Sequence, residues 1–244
     1  EAGQVRQLLL GDAQHLPHAG VEHRVEERGQ TARNPDVAFV VMLAGPGVPG
    51  KDVILKQSEA IMKAMKASPA EIKKSRDSQL KIIAAVDAVV RKNPSKPDPI
   101  KLVAALKKET DALIAALPLA DRIEAQKNRA MVDAQVQQYA TPWFRYFLTY
   151  DPRAALRKVK VPVLVMNGDK DVQVIASQNV PEVEKALRAG GNKRVTVRLM
   201  PGLNHFFQHA VTGSPQEYGT IDETFAPEAI KEIGAFIRSV NRMK

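Results

Sequence analysis

The sequence predicts an α/β fold: a mostly parallel sheet with helices on its faces, interrupted by a large all-helical insert. Three observations carry this reading. Strand-length segments rich in β-branched residues occupy 37–44, 162–167 and 194–200. Between the first and second runs, roughly a hundred residues repeat with helical period. From the second run onward, strand, helix, strand and helix alternate, the order that places strands parallel with helices packed on them.

Residues 1–33 are polar, charged and poorly periodic, with Leu8-Leu9-Leu10 as their only apolar run. Asn34-Pro35-Asp36 marks a turn, and Val37-Ala38-Phe39-Val40-Val41-Met42-Leu43-Ala44 suits a strand buried on both faces. The glycines from Gly45 to Gly50 then break the chain. Over Lys51–Tyr139 the period turns helical, with Ile54, Leu55, Ile61, Met62 and Met65 on one stripe. Leu80, Ile83, Ala84, Val86 and Val90 form another, and Ile100 to Leu117 continue the pattern. Pro69 and the run Asn93–Pro99 interrupt it, and one further helix is expected over Ala120–Tyr139. Thr141–Tyr150 concentrates Trp143, Phe144, Tyr146, Phe147 and Tyr150. The second strand leads to a helix expected at Pro181–Ala189, stopped by Gly190-Gly191. The third strand leads to a histidine loop, and a last helix is expected over Pro227–Val240.

Composition narrows the chemistry. With no cysteine there is no disulfide, thiolate nucleophile or zinc-thiolate site. No apolar run has the length to span a bilayer, so no membrane partner is expected. Glu1-Ala2-Gly3-Gln4-Val5-Arg6 lacks the basic-then-apolar pattern of a signal peptide, and the native compartment stays open. The net charge of +9 is concentrated in residues 51–150, where 18 Lys and Arg stand against 11 Asp and Glu. Those lysines alternate with apolar residues at helical spacing, and few aromatics lie among them. They read as solvated helix faces, and no nucleic-acid partner is expected.

Gly45-Pro46-Gly47-Val48-Pro49-Gly50 fits G-x-G-x-x-G between a strand and a helix, the setting of a dinucleotide site. Pro46 and Pro49, however, remove amide donors from a loop that would have to offer amides to phosphate. A long helical insert follows in place of a short crossover, and no second strand ending in an acid comes about 20 residues later. A rigid turn is the expectation, with no cofactor. His15, His18 and His23 lie near Asp12 and Glu22, but on no firm element, so no metal site is expected.

The strongest signal is an acid and a base after successive strands. Asp171 follows the strand at 162–167 and His205 follows the one at 194–200. Functional residues of open parallel sheets gather at such strand ends. A carboxylate there fixes the imidazole tautomer and stabilises its protonated form, while the imidazole takes a proton from a hydroxyl. Acid before histidine is also the chain order of one class of hydrolases.

From about Asn34 onward the chain resembles serine α/β-hydrolases, in particular a bacterial esterase and dienelactone-hydrolase-like group with a helical cap. The residues carrying the likeness are Asp36–Gly50, Pro142-Trp143-Phe144-Arg145-Tyr146-Phe147 and Tyr150-Asp151-Pro152. It continues through Asn167-Gly168-Asp169-Lys170-Asp171-Val172-Gln173-Val174, Gly202-Leu203-Asn204-His205 and Gly213–Tyr218. The resemblance implies a partial α/β-hydrolase fold, with core residues 34–50 and 151–244 and a helical cap over 51–150. It implies Asp171 as triad acid and His205 as base, acting on a small-molecule ester or acyl substrate. Trp143, Phe144 and Phe147 would line the pocket or fill the core of the cap.

The same resemblance calls for a nucleophile in G-x-S-x-G ahead of the 37–44 strand. The first serine in the chain is Ser58, and Thr31 is the only hydroxyl residue before it. Thr31 stands two after Gly29, but Pro35 leaves no room for the helix that follows such an elbow. No nucleophile is assigned, and residues 1–33 read as non-native to the family. The expectation is a truncated hydrolase frame, inactive by itself, whose 37–44 strand exposes an apolar edge that drives self-association. The alternative is a non-catalytic pseudo-hydrolase that binds through the same pocket.

Overall fold

The computed structural model describes residues 37–92 and 98–242. The segment 1–33, with its histidine cluster and Thr31, lies outside the described residues. The described chain divides into two compact units, one of residues 54–150 and one of residues 37–53 with 151–242.

The second unit holds the sheet. Strands β1 (Val40–Leu43), β2 (Val163–Gly168) and β3 (Val195–Met200) are parallel in the order β1-β2-β3. The register sets Met42 opposite Val165 and Val165 opposite Val197. All six residues of β2 are buried. Alternate side chains leave opposite faces of a strand, and the two cores follow that alternation. Val163 and Val165 pack with Val180, Val183 and Leu187 on one face, while Leu164 and Met166 meet Leu203, Phe207 and Phe236 on the other. This double burial is why β2 reads as an unbroken apolar run.

The 37–44 run departs from expectation. Only Val40–Leu43 is strand, and within it only Met42 is fully buried. Among the described residues β1 pairs with β2 alone, and Ala44 turns the chain at φ 46°.

Continuing in this unit, the short helix at Arg153–Leu156 precedes β2, a helix at Ala176–Ala189 joins β2 to β3, and the last helix spans Pro227–Asn241. The middle one begins a full turn before its expected start, with Pro181 inside it. A proline there removes one helical hydrogen bond. Burial of Val180 and Val183, and the Asn179 Oδ1 bond to the Gly47 amide (2.9 Å), hold the first turn helical regardless. That bond also ties down the Gly45–Gly50 turn, where a Cβ at Gly47 would overlap the Asn179 carbonyl.

The other unit is helical. Helix α1 (Gly50–Ala64) leads into it, followed by α2 (Pro69–Lys92), α3 (Pro99–Ala115), α4 (Leu119–Lys127), α5 (Arg129–Tyr139) and α6 (Pro142–Thr149). The single helix expected over 120–139 is two, broken at Asn128, whose backbone leaves helical geometry at φ −95°, ψ 18°. The aromatic segment forms α6, started by Pro142 and capped by Thr141 Oγ1 on the Phe144 amide (3.2 Å). In chain order the helices at Arg153–Leu156, Ala176–Ala189 and Pro227–Asn241 are α7, α8 and α9.

Candidate active site

The turn after β2 is built by side chains, because a chain leaving a strand has no ladder to pair its amides. Asp171 Oδ1 accepts the amides of Gln173 and Val174, both at 2.8 Å. Its Oδ2 accepts from Asn167 Nδ2 at 3.1 Å and meets His205 Nδ1 at 2.9 Å. Asn167 Nδ2 also reaches the Val174 carbonyl (3.1 Å), which closes the turn on itself. The Asp171 side chain is wholly buried, and its carboxylate is compensated by these donors.

The His205 loop is organised in the same way by the residue before it. Asn204 Oδ1 accepts from the amides of Phe206 (2.9 Å) and Gln208 (3.0 Å), and Asn204 itself is fully buried. Phe207 takes a left-handed backbone at φ 59° and buries its ring against Phe225. The two strand-end turns are fastened together. Asp169 Oδ1 accepts the Gly202 amide at 2.7 Å, and the Lys170 amide donates to the Leu203 carbonyl at 3.0 Å. The Leu203 carbonyl lies so close to Gly168 that a Cβ there would overlap it.

The structure thus brings Asp171 and His205 into one buried hydrogen-bonded pair. With Asp171 accepting at Nδ1, the neutral ring carries its lone pair on Nε2, the atom a general base uses. His205 Nε2 makes no hydrogen bond to any described residue, and no described serine reaches it. A cavity of about 420 Å³ opens beside His205, lined by Leu43, Phe206, Phe207, Phe225, Asp222 and Glu223 among others.

Trp143, Phe144 and Phe147 lie on α6 within the helical unit. Phe144 is completely buried, edge-on to Tyr139 at 4.3 Å, and Trp143 stacks on Phe147 at 5.4 Å. Trp143 alone of the three is more than slightly exposed. Among the described residues no cluster of histidine and carboxylate side chains has a metal-binding arrangement, and no helix is long and apolar enough to cross a membrane.

Sequence reasoning missed the residues that hold the pair. Asn167, Gln173 and Asn204 are all fully buried, and polar residues at strand ends beside an acid and a histidine were the available signal. Gln173 Nε2 donates to Tyr218 Oη at 2.7 Å. Burial, against the opposing Gln173 hydrogen bond, and the charges of Asp171 and Glu217 push the Tyr218 phenol up to about 12.

No curated protein sequence matches the chain. Among solved structures, E-2-(acetamidomethylene)succinate hydrolase is similar at 18% identity with a TM-score of 0.35, over 87% of this chain and 62% of that one. The chain therefore spans less than two thirds of that protein's length. The model of the prolyl oligopeptidase family matches residues 98–228, more than half of the chain. That stretch contains β2, the Asp171 turn, β3 and the His205 loop, and the parallel sheet with its helices is part of an α/β-hydrolase fold. The likeness to serine α/β-hydrolases holds, and within that superfamily this chain belongs to the prolyl oligopeptidase family.

Proposed function

We propose that the chain carries the base and the orienting acid of an acyl hydrolase acting on carboxylic esters. His205 is the base, Asp171 holds its tautomer, and the nucleophilic hydroxyl is not among the described residues. The observation that supports this most is the buried 2.9 Å contact between His205 Nδ1 and Asp171 Oδ2. A carboxylate and an imidazole buried together are costly unless used or fully compensated, and here Nε2 stays uncommitted. Alone, the pair supplies neither a nucleophile nor the amides that stabilise an oxyanion, so the chain by itself is expected to be inactive.

Two measurements test the reading. Proton NMR should show a strongly downfield Nδ1–H resonance that disappears in His205→Ala and in Asp171→Ala; its absence from the wild-type chain defeats the pairing. Hydrolysis of p-nitrophenyl acetate should be no faster with the chain than with His205→Ala. Turnover that vanishes in the variant would overturn inactivity and establish an enzyme. The second reading, a non-catalytic module binding small acyl compounds, is favoured by the lack of any described serine on Nε2. It predicts that the same ester binds without turnover.

A further inference from the structure

The charge around His205 runs against that of the whole chain. The protein carries +9, yet residues 199–230 contain no Lys or Arg and four carboxylates, Glu217, Asp222, Glu223 and Glu228. Two of these, Asp222 and Glu223, line the cavity beside His205, and no lining residue is Lys or Arg. Glu223 is engaged by the His209 amide (2.6 Å) and by His209 Nδ1 (3.0 Å). Asp222 sits on the exposed rim of the cavity and makes no hydrogen bond or ion pair with a described residue.

The rest of the lining suits a cation as well. Phe206 and Phe225, both partly exposed, contribute aromatic rings, and Leu43 and Ile221 add apolar surface, while the Phe207 ring is buried against Phe225. Aromatic faces attract ammonium and guanidinium groups, most strongly where water is excluded. The His205 side chain, 7% exposed and with Nε2 unpartnered among the described residues, borders the same space. At about 420 Å³ the cavity is large enough for a small organic group.

We propose that this cavity is a subsite for a cationic portion of the substrate, a protonated amine or a basic side chain, held beside the catalytic base. Its link to a substrate rests on the hydrolase reading above; the binding preference itself does not. The carboxylate of Asp222 supplies the attraction and the rings of Phe206 and Phe225 supply the surface.

The test uses three probes that share one ring: benzylammonium, benzyl alcohol and benzoate, titrated into the full chain at neutral pH and followed by NMR. Benzylammonium should bind about three- to tenfold more tightly than the alcohol, with benzoate weakest. High salt and Asp222→Asn should each reduce that preference to about twofold or less. Phe206→Leu, which keeps the apolar contact and removes the ring, should weaken the ammonium more than the alcohol. Equal affinity for the alcohol, tighter binding of benzoate, or a preference unchanged in Asp222→Asn overturns the proposal. Loss of the downfield resonance test with the ammonium preference intact would sink the hydrolase reading and leave the subsite standing.

Discussion

The sheet unit and the helical unit use polar side chains in opposite ways. In the sheet unit most of the buried polar side chains outside the Asp171–His205 pair bond backbone: Asn204 holds two amides, and Asn192 the carbonyls of Val159 (3.1 Å) and Val161 (2.8 Å), while Asp171 itself also holds two amides. In the helical unit the buried pair Gln79 and Ser58 bond each other at 2.6 Å, and charges pair on the outside, as Lys73 does with Asp77. Helices satisfy their own amides internally, whereas turns at strand ends do not. The difference teaches where each unit is vulnerable. The helical unit depends on apolar volume, and the site-bearing unit depends on a few amide side chains.

The largest effect should come from apolar volume. Leu106, on α3, is completely buried, and Leu106→Ala should cost about 3 kcal/mol by urea denaturation. A cost under about 1 kcal/mol would mean that the helical unit is not held by its core. Next comes Asn204→Ala, which strands the amides of Phe206 and Gln208. It should cost about 2 kcal/mol and broaden or remove the His205 Nδ1–H resonance. Retention of that resonance would show that the loop keeps its form without the asparagine.

Tyr218 gives a smaller, pH-dependent effect. Its phenol ionises at about 12 in the folded chain against about 10 in an unfolded one. The protonated form is therefore favoured by folding, and this contribution is complete below pH 10. As pH rises from 10 to 12 the unfolded chain loses its proton first, and stability falls by on the order of 1–2 kcal/mol. Tyr218→Phe should lack this component of the alkaline loss, and an identical alkaline profile in the variant would contradict the assignment. The smallest effect belongs to the surface of the helical unit. Lys73→Ala removes an ion pair between exposed side chains and should change stability by about 0.5 kcal/mol or less.

Much of the sheet was legible in the sequence for a physical reason. A strand buried on both faces must be apolar at every position, so Val163–Met166 announces β2. Asp171 and His205 were legible because strand ends are where a parallel sheet offers side chains to a common space. The start of α8 was not, because Pro181 normally ends a helix and here tertiary packing outweighs it. The break at Asn128 was hidden because the helical pattern runs through it without a glycine or proline. Asn167, Gln173 and Asn204 give no periodic signal, being single amides whose role is fixed by where the turn folds back. The cavity wall formed by Ile221–Phe225 lies in the irregular stretch between β3 and α9, where spacing carries no information.

The close approach of the Leu203 carbonyl to Gly168 sets a limit on how this chain can vary in length. Asp169 to Gly202 and Lys170 to Leu203 stitch the two turns at fixed residue counts, so one added residue in either turn shifts acid against base. The spacing from Gly168 to Asp171 and from Met200 to His205 is held constant by the stitching.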